Sequence, residues 1–139
     1  MALTSLITYH LVKSEDLNHH GTLFAGRNAE WFVEAGFIAA AALTRPENIV
    51  CLKIHGMGFH RPVHRGEVIH FESKIVFAGR TRLVAHISMK GKEDQDQIVE
   101  GFITFIHVDQ EGKPIPHGIQ LSPETEEELH LQETAQNLR

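Results

Sequence analysis

The order of apolar and polar residues along the chain predicts one long helix set among strands. Residues 31–43 are apolar at nearly every position apart from Glu34, and a helix that is apolar on every side is typically buried. Pro46 closes this stretch, because proline cannot donate to the helix ladder. We therefore predict a central helix that begins between residues 23 and 27 and ends before Pro46.

The remaining chain predicts strands, because apolar residues recur at every second position. The predicted strands span residues 3–12, 49–59, 68–77, 82–90 and 98–108. Gly56 and Gly58 inside the second of them indicate a bulge or a close backbone approach. The short connections between the last four strands favour an antiparallel meander. A sheet packed on one helix leaves an edge strand open, so we expect two copies to pair as a symmetric homodimer.

Composition narrows the class of protein. The net charge of −5 disfavours a nucleic-acid surface. Cys51 is the only cysteine, which excludes an internal disulfide and fits a reducing compartment, and no apolar run approaches the roughly 18 residues of a membrane span. We expect a cytoplasmic protein with one domain at residues 1–118 and a tail at residues 119–139, where a surface helix is predicted over residues 123–138.

Four segments, in this order, resemble a known family. Residues 16–26, DLNHHGTLFAG, look like the turn that opens the central helix of hotdog-fold acyl-CoA thioesterases, and residues 56–67, GMGFHRPVHRGE, are similar to the segment after that helix. Residues 79–82, GRTR, resemble the family's hairpin that contacts coenzyme A, and residues 102–114 resemble its last strand and turn. The similarity extends over about residues 3–118.

The resemblance implies an α+β hotdog fold, in which a five- or six-stranded antiparallel sheet wraps one long helix in a homodimer or higher homo-oligomer. It implies an acyl-CoA thioester hydrolase, similar to the cytosolic acyl-CoA hydrolases and the hydroxybenzoyl-CoA thioesterases, that releases a carboxylic acid and coenzyme A by water attack. No cofactor is then expected, because coenzyme A is part of the substrate. The alternatives are a non-catalytic module that binds acyl-CoA and a hotdog dehydratase with Asp16 and His20 as its acid–base pair.

Thioester hydrolysis needs donors for the oxyanion of the transition state. Backbone N–H groups at a helix start are unpaired and carry the positive end of the dipole, and glycine allows a close approach. We therefore predict the N–H of Gly21 or Thr22 as the oxyanion donor, unless Gly21 only serves a tight turn. The resemblance gives Asn18 the role of orienting water or the carbonyl, whereas its residue type alone favours a turn or a helix cap.

Glu34 is the candidate carboxylate, since burial in an apolar helix would raise its pKa and make it a general base. The sequence departs from the family pattern here. Counted from Gly26, the helix acid of the family falls on Val33, one residue and about 100° of helix rotation earlier. Glu30, one turn before Glu34, is a weaker candidate, and a solvated face paired with Arg27 is the alternative for both carboxylates.

Histidines and arginines complete the predicted site. His20, beside His19, can hold the carbonyl or position water, although a loop histidine is more often plain polar surface. The other histidines nearby match no standard zinc spacing, so no metal is expected. Guanidinium groups in or beside turns suit the phosphates of coenzyme A, with solvated surface as the alternative for each of them. The predicted coenzyme A contacts are Arg61, Arg80, Thr81 and Arg82, with Arg65 as a further candidate.

Overall fold

The computed structural model describes residues 1–92 and 96–139. The loop predicted at residues 91–96 therefore lies partly outside the described residues. Within the described parts the chain forms five strands and two α-helices. The elements are β1 (Leu6–Leu11), α1 (Ala25–Leu43), β2 (Ile49–Phe59), β3 (Val68–Ala78), β4 (Arg82–Gly91), β5 (Gln97–His107) and α2 (Glu126–Gln136).

All five strands join one antiparallel sheet in the order β1-β3-β4-β5-β2. The predicted antiparallel sheet with one long helix is confirmed, but the predicted meander of the last four strands is wrong. Only β3, β4 and β5 are sequential neighbours, whereas β2 pairs with β5 at the other edge. The connection from β2 to β3 runs past the start of α1, where the N–H of Leu23 donates to the carbonyl of Val63 at 2.8 Å, and so it cannot close a hairpin.

The core lies between α1 and the inner face of the sheet. Alternate residues of β3 and β4 point toward the helix, as the period-two pattern predicted, and Phe32 of α1 is fully buried among them. Gly36 lets the helix approach the sheet, because a Cβ there would lie 3.1 Å from Cδ1 of Ile87. The buried inward-facing residues are Ile69, Phe71, Ile75, Leu83, Ala85, Ile87, Met89, Ile103 and Phe105.

The opposite side of α1 is exposed in the single chain. Glu30, Glu34, Ile38 and Ala42 follow one another at a spacing of four residues and all are exposed, as expected for one stripe of a helix. The prediction of a helix buried on every side is therefore wrong for one copy, because a five-stranded sheet covers only one side of it.

The two edges and the outer face complete the fold. β2 is an edge strand with exposed apolar side chains, among them Leu52, which is 62% exposed. The predicted bulge in β2 is confirmed by a register shift between Ile54 and Met57, and Gly56 there has a φ of +115°. α2 packs Leu131 and Ala135 on the outer face of the sheet. Of the helices in residues 1–92 and 96–139, none combines the length and apolar character that a membrane crossing needs.

Candidate active site

The turn at residues 18–22 is closed by the side chain of Asn18. Its Oδ1 accepts from the N–H of His20 at 2.8 Å and from the N–H of Thr22 at 3.2 Å, and the N–H of Gly21 donates to the carbonyl of Asn18 at 3.1 Å. Gly21 adopts a φ of +81°, which favours glycine. The prediction that Gly21 or Thr22 presents a free amide is therefore wrong in this chain, because both amides donate within the turn.

The unpaired amides lie a few residues later, in the first turn of α1. The first hydrogen bond of the helix runs from the N–H of Asn28 to the carbonyl of Phe24 at 3.0 Å, and the N–H of Phe24 donates to the carbonyl of Asp16. Phe24 occupies the N-cap position and offers no side-chain cap. Within the described parts of the chain, the N–H groups of Ala25, Gly26 and Arg27 therefore have no partner, and they carry the positive end of the helix dipole.

Asp16 fixes the turn to the start of the helix. Its carboxylate is buried, accepts from the N–H of Lys13 at 2.9 Å and lies 3.4 Å from Nε of Arg27. A buried carboxylate that is paired in this way is a structural group. His20, the proposed partner of Asp16 in a dehydratase, is exposed and contacts the ring of His19 at a centroid distance of 3.9 Å. The structure gives no support to this pair as an acid–base couple.

A cavity of about 410 Å³ opens beside the free amides, and we call it the helix-start cavity. It lies between the turn, the first residues of α1 and the segment that follows β2. Its lining is mixed, with apolar walls and a few polar groups, as is usual for ligand sites. Its lining residues are Asn18, Leu23, Ala25, Asn28, Phe59, His60, Arg61, Pro62 and Val63.

Asn28 is the residue of this cavity that the sequence analysis missed. It is 3% exposed and its Oδ1 is buried without a hydrogen-bond partner in the described chain. The signal in the sequence was weak, because a single amide in the first turns of a helix is compatible with a solvated position. Only the packing of α1 against the sheet shows that Asn28 faces the interior.

Glu34 does not reach the helix-start cavity of its own chain. It is exposed, so the burial predicted for it is wrong in the single copy, and it follows Ala25 by nine residues, or about 14 Å along the helix axis. Val33, the alternative position for the acid, packs against the core. None of the described residues that line the cavity is acidic.

His10 on β1 is a second residue that the sequence analysis did not consider. Its ring stacks on Trp31 at a centroid distance of 4.2 Å. Burial lowers the pKa of His10 below its ordinary value, and the negative charges of Glu34 and Asp16 partly oppose this effect. The pKa of His10 therefore depends on the charges of Glu34 and Asp16, although His10 does not line the helix-start cavity.

The predicted coenzyme A contacts are divided between the two ends of the molecule. Arg61 lies at the helix-start end, 3.2 Å from the carboxylate of Glu67, and shares a neighbouring cleft of about 570 Å³ with Arg65 and Lys92. The hairpin that carries the other three lies at the opposite end of β3, which has 11 residues and a length of about 33 Å. These three residues are Arg80, Thr81 and Arg82.

The histidines considered for a metal do not form a ligand set. His55 contacts the hydroxyl of Thr104 at 2.6 Å on the sheet, away from the turn histidines. In the part of the chain that the structure describes, no group of three or more His, Cys, Asp or Glu side chains is placed to hold an ion.

Comparison with known proteins identifies the family. The model of the thioesterase superfamily matches residues 20–98. The chain belongs to this superfamily. YkhA, an acyl-CoA thioester hydrolase of Bacillus subtilis that is named as uncharacterized, is 27% identical over 124 residues, covering 86% of this chain and 71% of that protein.

Two solved structures show the same architecture as this thioesterase-superfamily chain. An acyl-CoA hydrolase from Staphylococcus aureus, solved with butyryl coenzyme A, superposes with a TM-score of 0.80 at 23% identity and covers 95% of this chain and 79% of its own. An apo-hexameric acyl-CoA thioesterase has a TM-score of 0.84 at 28% identity, with coverages of 95% and 86%. The fold is therefore the hotdog fold, as the resemblance implied.

Proposed function

We propose that the protein hydrolyses acyl-CoA thioesters, releasing a carboxylic acid and coenzyme A by attack of water on the thioester carbonyl. The observation that carries this proposal is the run of amides at Ala25, Gly26 and Arg27, which have no partner in the described chain and begin at Ala25 in the lining of the helix-start cavity. The chain that carries them belongs to the thioesterase superfamily. Preorganised N–H donors at a helix start stabilise the charge that develops on the carbonyl oxygen. The reaction needs no cofactor, since coenzyme A enters with the substrate.

Water is activated by a carboxylate of a second copy in this proposal. Glu34 is exposed on the open stripe of α1, where a second copy can bring it to the cavity and where contact with that copy buries it. Burial there favours a general base. Asn18 serves by holding the turn closed, and His20 stands at its exposed surface, where it can position water.

The second copy pairs along the open edge of β2. This strand has 11 residues and exposes Val50, Leu52 and Ile54, and pairing about a two-fold axis covers such an edge. Antiparallel pairing also places the far end of one copy at the helix-start end of the other. The hairpin with Arg80, Thr81 and Arg82 can then contact the phosphates of a coenzyme A whose thioester lies in the opposite subunit, together with Arg61.

A homo-oligomer fits the hexameric thioesterase at 28% identity, and a hexamer can be built from three such dimers. A cytoplasmic location fits the single thiol of Cys51. The acyl chain is proposed to lie along α1 at the interface between the two copies.

The test is release of free thiol from acetyl-, octanoyl- and palmitoyl-CoA by the wild type, Glu34→Gln and Glu30→Gln. We expect turnover by the wild type, a loss of about 100-fold or more for Glu34→Gln, and a change below about threefold for Glu30→Gln. Equal activity of the two variants would reject Glu34 as the base.

A non-catalytic acyl-CoA module is the second candidate, and one observation favours it: no described residue lining the helix-start cavity of the single chain is a carboxylate. Tight binding of coenzyme A with no turnover in the wild type would establish this module and reject hydrolysis. Formation of an enoyl thioester from a hydroxyacyl-CoA would instead establish a dehydratase.

A further inference from the structure

Asn28 has a buried carboxamide oxygen that bonds to nothing in the described chain. Leaving a buried polar atom unpaired is unfavourable, and native proteins rarely contain such atoms without a reason. Asn28 is only 3% exposed and lines the helix-start cavity. Asn28 therefore lines the same cavity as Ala25, whose backbone amide has no partner in the described chain.

The two sets of groups are complementary in type and close in position. Ala25 and Asn28 are three residues apart and lie on one face of α1, about 4.5 Å apart along the axis. The backbone amides donate, whereas Oδ1 of Asn28 accepts. A ligand that fits both must offer an acceptor and, a few bonds further along, an N–H donor.

An acyl-CoA thioester has this arrangement. Four bonds separate its carbonyl carbon from the first amide nitrogen of the pantetheine arm, through the sulfur and two methylene groups, and an extended chain gains about 1.2 Å per bond. We propose that Oδ1 of Asn28 accepts a hydrogen bond from this pantetheine amide while the amides of Ala25 to Arg27 hold the thioester oxygen. This inference rests on the proposed function and adds a contact that positions the thioester.

The first test compares Asn28→Leu with a matched variant, Asn48→Leu. Leucine resembles asparagine in shape but removes the unpaired polar group, so Asn28→Leu should raise the Tm by about 3 °C and lower kcat/KM for acyl-CoA about 10-fold. Asn48 donates from Nδ2 to the carbonyl of Val108 at 2.9 Å, at the other end of α1. Asn48→Leu should therefore lower the Tm and leave kcat/KM unchanged. A lower Tm with unchanged kcat/KM in Asn28→Leu would overturn the proposal, because Asn28 would then be a structural residue.

The second test does not depend on how stable the variant is. Two truncated thioesters are compared: an S-acyl-N-acetylcysteamine, which keeps the first pantetheine amide, and its N-methyl analogue, which has no N–H there. The wild type should prefer the first compound about 10-fold in kcat/KM, or in the inhibition constant against acyl-CoA where turnover is slow, and Asn28→Leu should lose that preference. An equal preference in both proteins would overturn the inference.

The outcomes separate this inference from the proposed function. A wild type that hydrolyses acyl-CoA and shows no dependence on the amide N–H would reject only the role of Asn28. A wild type that binds but does not hydrolyse acyl-CoA would reject the hydrolase, and the preference for the amide would then be measured as a ratio of inhibitor affinities with the same expected result.

Discussion

The two ends of α1 differ in whether their terminal backbone groups find hydrogen-bond partners. A helix leaves backbone groups unpaired at both of its ends. At the C-terminal end, the N–H of Thr44 donates to Ala41 at 3.2 Å, and its hydroxyl donates to the carbonyl of Ala40 at 2.8 Å. At the N-terminal end, Phe24 provides no side-chain cap, and within residues 1–92 and 96–139 three amides and the Oδ1 of Asn28 have no partner.

This difference indicates that the N-terminal end of α1 is the end suited to bind a ligand. A polar N-cap side chain contributes about 0.5–2 kcal/mol, so the open N-terminal end costs stability that the C-terminal end does not. An open helix start beside a cavity is suited to an oxygen that becomes negatively charged. The following predictions test this contrast between the two ends.

The largest expected effect concerns the residue that holds the open end in place. Asp16→Asn should lower the free energy of unfolding by about 2–3 kcal/mol, because it removes the buried charge that pairs with Arg27. Urea unfolding measures the change. Glu15→Gln, at an exposed position beside it, should change stability by less than about 0.5 kcal/mol. Similar stabilities of the two variants would show that the turn is held in another way.

Capping the open end should convert it into a closed one. Phe24 is exposed, and its ψ of 128° suits an N-cap residue. Phe24→Asp should raise stability by about 1 kcal/mol and lower kcat/KM at least 10-fold, because its carboxylate occupies the amides that the oxyanion needs.

The control for the capping variant is Phe24→Leu, which offers no acceptor and should leave kcat/KM within about threefold of the wild type. Full activity in Phe24→Asp, together with raised stability, would mean that the capped amides do not serve the reaction. The contrast between the two helix ends would then concern stability alone.

What the sequence could predict at these two ends depends on how local each feature is. The bounds of α1 and most of the inward residues of β3 follow from hydrophobic period and Pro46, which are local signals. The strict alternation fails at Phe77, because a register shift after Ile75 turns Phe77 to the outer cluster. The pairing of β2 with β5 depends on where a connection crosses the helix, so the meander prediction failed. Gly21 and Thr22 were favoured as donors because helix starts are uncertain by a few residues, and the closing role of the Asn18 side chain is a detail of turn geometry.

The exposure of Glu34 could not be predicted from the sequence for a different reason. In the proposed site its surroundings depend on a second copy, which neither the hydrophobic pattern nor one folded chain describes. Asn28 was missed because a single amide shows no period. The fold was therefore predictable in nearly all its elements, whereas the site depends on unpaired atoms and on assembly.

A smaller effect is expected from the arginines of the far end. Arg80→Ala should raise KM for acyl-CoA about fivefold with little change in kcat, because in the proposed dimer it removes a phosphate contact to coenzyme A bound in the opposite subunit. Arg45→Ala, another exposed arginine near that end, should leave KM unchanged. Steady-state kinetics of both variants decides the matter, and equal KM values would remove the hairpin from the coenzyme A site.

The smallest expected effect is the pH dependence of stability that His10 contributes. Burial lowers the pKa of His10 below the ordinary value of 6.5, so the unfolded chain binds more protons than the folded one as the pH falls through that value. Stability is then fully present above about pH 6.5 and declines below it. His117, beside the carbonyl of Arg82 at the other end, also has a pKa lowered by burial and contributes a decline of the same sign.

The Tm difference between pH 7.5 and pH 5.5 should therefore be smaller in His10→Gln than in the wild type, whereas His64→Gln, at an exposed position, should keep the wild-type difference. An unchanged difference in His10→Gln would assign the acid sensitivity to other groups, among them His117 and His55, whose pKa values are also lowered by burial. The stacking of His10 on Trp31 would then have no electrostatic consequence for the end that holds the site.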